Sequence, residues 1–190
     1  SGASLTLLAW DETGRRFTAN PTQIGAIGAW SLRSDDRLTI GDFDGDGIDE
    51  IYIRNPTSAG VLKWTGAAFD SLWVGMGLAP RIVGELREPL PLGAEDRSYV
   101  GRFTLTRDGI VHRAAGRLAI LTWERGAMRV RRLLTFPTSG WTLSASDELT
   151  VADYHRLGIE REAPEAADFI TDNISDVFLH NSWGAAMIAF

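Results

Sequence analysis

Short apolar runs of strand length, alternating with polar positions and broken by Gly, Asp, Asn or Pro, recur along the whole chain. The clearest set is Leu38–Phe43, Glu50–Arg54, Gly60–Trp64 and Phe69–Val74, separated by turn-forming residues. Val61-Leu-Lys-Trp64 is echoed by Ile120-Leu-Thr-Trp123, Met187-Ile-Ala-Phe190 and Leu7-Leu-Ala-Trp10. A Gly-containing turn follows three of these, and a second apolar run then begins near Phe69, Met128 and Phe17, the pattern of hairpins.

The pattern is one unit written several times. Trp30 to Phe43 aligns without a gap on Trp141 to Tyr154 at a constant offset of 111, and Leu90 to Phe103 fits the first copy at an offset of 60. Leu32, Leu92 and Leu143 coincide, as do Asp36, Asp96 and Asp147, and the aromatic Phe43, Phe103 and Tyr154. Glu50 to Asn55 recurs as Asp176 to Asn181. Four strands and a recurring aromatic in a unit of about 50–60 residues predict propeller blades, because a lone four-stranded sheet cannot bury both faces and must stack. A β-sandwich is the competing fold.

The expected architecture is therefore all-β: a propeller segment with a partial blade over 1–37, a blade over 38–89, another over 90–140, and a partial blade over 141–190. The first strand is expected at Leu5–Trp10 and the last at Ala185–Phe190. These make roughly three to three and a half blades, fewer than the 4–8 of closed rings. The expectation is a piece of a larger ring of about seven blades, or one completed by a second copy or another chain.

Composition narrows the function classes. The net charge of −6 without a basic stripe argues against nucleic acid. No apolar run is long enough to span a membrane, and the first residues lack the basic-then-apolar order of a signal peptide. Zero cysteines exclude disulfides, thiolate chemistry and cysteine-bound zinc.

The chemistry concentrates in Gly41-Asp-Phe-Asp-Gly-Asp-Gly-Ile-Asp-Glu50-Ile51. Asp42, Asp44 and Asp46 alternate, Glu50 follows four residues later, and glycines allow tight wrapping, which suits oxygens arriving around one hard cation. A solvated acidic loop is the plain alternative. An EF-hand needs an acid at loop position twelve and flanking helices, but that position is Ile53 in a strand-like run.

This loop and its flanking strands resemble the calcium loop of the FG-GAP/VCBS-type repeat, the blade unit of integrin α-subunit propellers and of many secreted bacterial proteins. The resemblance implies calcium held by Asp42, Asp44, Asp46, the carbonyl of Ile48, and Glu50 in place of the commoner aspartate. It also implies extracellular or cell-surface exposure. The second copy has Arg102 where the first acid should stand, so no metal is expected there, and its guanidinium is expected to bond the loop's carbonyls. The third copy begins with Asp153, carries an insertion at 156–171 expected as a short acidic helix, and resumes at Asp172 and Asp176, a candidate second metal set.

Trp10, Trp64 and Trp123 repeat at one strand position and are expected to pack, whereas Trp73 and Trp183 do not repeat cleanly and are the candidates for an exposed aromatic contact. No catalytic motif accompanies these features, so no enzymatic activity is expected. The expected function is a calcium-stabilised binding or adhesion module for a protein or glycan ligand. A sugar-binding lectin and an accessory portion of a larger secreted protein or enzyme are the alternatives.

Overall fold

Alternating positions become antiparallel strands throughout, and no helix occurs among the described residues. The computed structural model describes residues 2–76, 91–137, 141–144, 146–152, 175–182 and 184–188. The N-terminal part contributes β1 (Ser4–Leu5), β2 (Leu8–Asp11), β3 (Arg16–Ala19), β4 (Gln23–Ile24), β5 (Ala26–Ile27) and β6 (Trp30–Ser31). Then β7 (Arg37–Gly41), β8 (Glu50–Arg54), β9 (Ser58–Trp64) and β10 (Phe69–Met76) form one four-stranded sheet in chain order. A second comprises β11 (Arg97–Arg102), β12 (Asp108–Ala114), β13 (Arg117–Glu124) and β14 (Ala127–Thr135). The third sheet has β15 (Glu148–Ala152), β16 (Asp176–Asn181) and β17 (Gly184–Ile188).

One expected strand divides. Leu5–Trp10 breaks at Thr6–Leu7, because Leu5 pairs with Gln23 in β4 whereas Leu8 pairs with Ala19 in β3. Two different partners cannot be served by one straight strand.

The central sheets are apolar on both faces. Tyr52 and Val61 point into a cluster shared with Ile110, Ala119, Leu121 and Met128 of the second sheet. Their chain neighbours Ile53 and Leu62 point the other way, onto Ile27 and Trp30 of the N-terminal part. In the second sheet Val111, Leu118 and Ile120 turn instead towards Leu149, Val177 and Leu179 of the third. Period-two alternation thus feeds two cores at once, and each fully buried side chain of this kind contributes about 1.5–3 kcal/mol.

Corresponding polar contacts join successive sheets. Buried Arg54, ending β8, donates to Ser98 Oγ at 3.0 Å and to the Gly93 carbonyl at 3.4 Å. Buried Arg113, one sheet on, donates to the carbonyls of Asp147 and Ser144. Asp108 receives the Asp42 N–H at 3.1 Å and returns its own N–H to the Asp42 carbonyl at 2.9 Å. Ser175 does the same for Arg102, accepting at 2.8 Å and donating at 2.5 Å. First strands come close at these points: a Cβ on Gly41 would stand 2.7 Å from Val100, and one on Gly101 would collide with Val151.

Asp36, Asp96 and Asp147 each close a turn by accepting the N–H three residues back, from Arg33, Gly93 and Ser144. The Trp30 indole also donates to Asp36, and the Trp141 indole to Asp147. Among these, the middle copy uses His112, whose Nε2 stands 3.0 Å from Asp96 Oδ2.

Candidate metal centre

The loop between β7 and β8 is folded by its own acids. Asp42 accepts the N–H groups of Gly45 at 2.8 Å and Gly47 at 3.1 Å. Both glycines sit at positive φ, +83° and +87°, where a side chain would be strained. Asp44 Oδ1 accepts the Asp46 N–H, and Asp46 Oδ1 accepts the Ile48 N–H. Glu50 Oε2 takes the N–H groups of Phe43 at 2.9 Å and Asp44 at 3.2 Å. One oxygen of each acid is thereby spent on shaping the backbone, and Asp42 spends both.

The remaining oxygens converge. Lys63 Nζ lies 2.7 Å from Asp44 Oδ2, 2.5 Å from Asp46 Oδ2 and 2.9 Å from Glu50 Oε1. Oxygens of Asp42, Asp44 and Glu50 all fall within 4.8 Å of one another. A calcium ion holds oxygens at about 2.3–2.6 Å, so ligands on opposite sides stand at about twice that distance, and this spacing fits. Glu50 Oε1 is fully buried without a well-directed hydrogen bond, its nearest cation being the Lys63 ammonium.

Electrostatics follow from this crowding. Burial raises the Glu50 pKa above the usual carboxylate value in spite of Lys63. The hydrogen bond from Lys63 lowers that of exposed Asp46. Partial desolvation works against the Lys63 ammonium, but bonds to Asp44, Asp46 and Glu50 outweigh it and raise its pKa. Three carboxylates facing one ammonium, with Asp42 close by, leave a net negative seat with the charge and oxygen chemistry of a hard-cation site. The residues present fit calcium.

The sequence-derived ligands are placed as follows. Asp42, Asp44 and Glu50 come together, Asp46 joins them through Lys63, and Ile48 donates its N–H to Asp46 with its side chain exposed. Asp176 is fully buried and pairs with Ala152, as Glu50 pairs with Gly41. Asp153, Asp172, Trp183 and the insertion at 156–171 lie outside the described residues. Trp73 is partly buried against the first core cluster, beside a register shift in β10, with its ring over Gly75.

In the second loop the carbonyl-bonding guanidinium is Arg107, which donates to the Trp123 carbonyl at 3.2 Å. Arg102, expected in that role, is half exposed and stands 3.8 Å from Asp108. Lys63 is the residue the sequence reading missed. Its signal was available: among 19 Lys and Arg residues it is the only lysine.

A second polar group borders a cavity of about 220 Å³ lined by Leu92, Asp96, His112, Arg117 and Leu133. Ser98, His112 and Asp96 line up there, with Ser98 Oγ 3.4 Å from His112 Nδ1. Ser98 Oγ already accepts the Arg54 Nε–H, and Asp96 closes its turn on Gly93, so these contacts knit two sheets together. No model of a known protein family matches the chain, and no curated protein sequence matches it.

Proposed function

We propose that the chain is a segment of a calcium-stapled β-propeller, serving as an extracellular binding or adhesion module without catalysis. The convergence of Asp44, Asp46 and Glu50 on one cationic point, with a buried Glu50 oxygen aimed at it, carries the calcium reading. Sheets stacked face to face, with first strands β7, β11 and β15 side by side, support the propeller. Blades need this arrangement, because each sheet's second apolar face must be covered by the next.

Asp42, Asp44 and Glu50 would hold the ion, with Asp46 beside them. Calcium when bound supplies the two positive charges that this cluster of carboxylates lacks. The chain's own part is to orient the oxygens: Gly45 and Gly47 bend the backbone, and Asp42 gathers their N–H groups. Asp108 then ties the loop to the next sheet. The metal's work is structural, fixing the β7–β8 turn so that neighbouring loops stand on a rigid scaffold for a protein or glycan ligand.

Thermal melts in calcium and in EDTA test this. Calcium should raise the midpoint by several degrees, and a substitution of Asp42 and Asp44 by Asn should abolish the rise. Identical midpoints in calcium and EDTA would remove the structural role.

A further inference from the structure

The geometry points to Lys63 as a built-in counter-cation of the loop: its ammonium occupies the cation seat when metal is absent, and calcium must displace it to bind. This regulation rests on the calcium reading above.

Three observations carry it. The ammonium sits within 2.9 Å of one oxygen each from Asp44, Asp46 and Glu50. Two of these acids, Asp44 and Glu50, belong to the set whose oxygens are spaced for a metal, so ammonium and ion draw on the same two carboxylates. Lys63 is also the sole lysine in a chain that otherwise uses arginine. A lysine head is a compact point charge with three donors, close in shape to a small cation. A guanidinium is a planar fork that suits paired parallel contacts instead.

Position makes the exchange possible. Lys63 lies on β9, whose pairing with β8 sets Leu62 opposite Ile51, so its stem starts beside the loop and its head reaches across it. The side chain is about one-fifth exposed, which leaves a path to solvent when the ammonium leaves. With Lys63 seated the loop keeps part of its charge balance and its fold at low calcium. The same ammonium must be expelled on binding, so the site is tuned to high calcium concentrations.

Two measurements test this on the whole chain. Calorimetric titration with calcium chloride should show Lys63→Met binding at least about tenfold tighter than the parent. Its melting midpoint in EDTA should fall, so that calcium produces the larger rise. In the parent, amine acylation of the only lysine, read by mass spectrometry, should be slow in EDTA and severalfold faster in calcium. Equal or weaker binding by K63M, or a labelling rate unmoved by calcium that demonstrably binds, overturns the counter-cation role while leaving the metal site standing. A K63M chain that folds only with calcium supports it, and one that stays unfolded at saturating calcium overturns it. Calcium binding to neither protein removes the metal reading itself, and this inference with it.

Discussion

The first and second loops occupy the same place in neighbouring sheets and solve the same turn with opposite charge. The first gathers Asp44, Asp46 and Glu50 around Lys63, whereas the second spans Arg102 to Asp108 and bonds a strand carbonyl through Arg107. What they share is the fastening to the next sheet: Asp42 is held by Asp108, and Arg102 by Ser175, through the same pair of bonds. Gly41 and Gly101 also recur where the next strand passes closest. The stacking thus depends on the fastening and the small residue, and the charge inside the loop is free to differ.

The two loops should differ most at Glu50. Replacing Glu50→Ala empties a fully buried position that serves two backbone N–H groups and Lys63, and should cost about 3 kcal/mol in urea denaturation. The corresponding residue of the second sheet, Gly109, has no such duty. A loss below about 1 kcal/mol would mean the loop is held by its neighbours alone.

Arg113→Ala should come next, at about 2 kcal/mol, because it strands the carbonyls of Asp147 and Ser144 between two sheets. Arg54→Ala should cost a similar amount, since it makes the corresponding contact one sheet earlier. Unequal losses in chemical denaturation would show that the two interfaces differ in strength.

Asp108→Ala should cost about 1 kcal/mol and weaken calcium binding a few-fold, since it loosens the backbone of Asp42 without touching a ligand oxygen. Arg102→Ala, at the matching position of the second loop, should change stability by less than about 0.5 kcal/mol and leave the calcium response intact.

The smallest effect concerns pH. Burial pushes Asp147 up, but bonds from Ser144, Asn181 and Trp141 outweigh it and hold its pKa below the usual 3.8. Asp96 is depressed likewise by His112 and Gly93 against its burial. A carboxylate with a lowered folded pKa gives stability that is present above its unfolded pKa and lost as pH falls through the folded one. Stability should therefore decline below about pH 4, and more shallowly in Asp147→Asn, as followed by circular dichroism across an acid titration.

Much of this was legible in the chain. The strands of the first sheet fall almost where alternation places them, with β8 matching its expected span. Of the expected set Asp42, Asp44, Asp46, Ile48 and Glu50, oxygens of Asp42, Asp44 and Glu50 lie close together, because a tight loop between paired strands fixes those positions locally. The split of Leu5–Trp10 was not legible, since β1 chooses a partner in β4 that no local pattern announces. Lys63 sits between Leu62 and Trp64 on a strand, where an isolated polar residue reads as a solvent-facing position. Arg54, Arg113 and Asp108 were invisible for the same reason: contacts between sheets leave no periodic trace.

The most direct measurement is a crystal structure of the chain grown in saturating calcium. One ion is expected, with oxygens of Asp42, Asp44 and Glu50 at about 2.3–2.6 Å and the Lys63 ammonium withdrawn from Asp44 and Glu50. An ammonium still seated among Asp44, Asp46 and Glu50, with no ion beside Asp42, would contradict it.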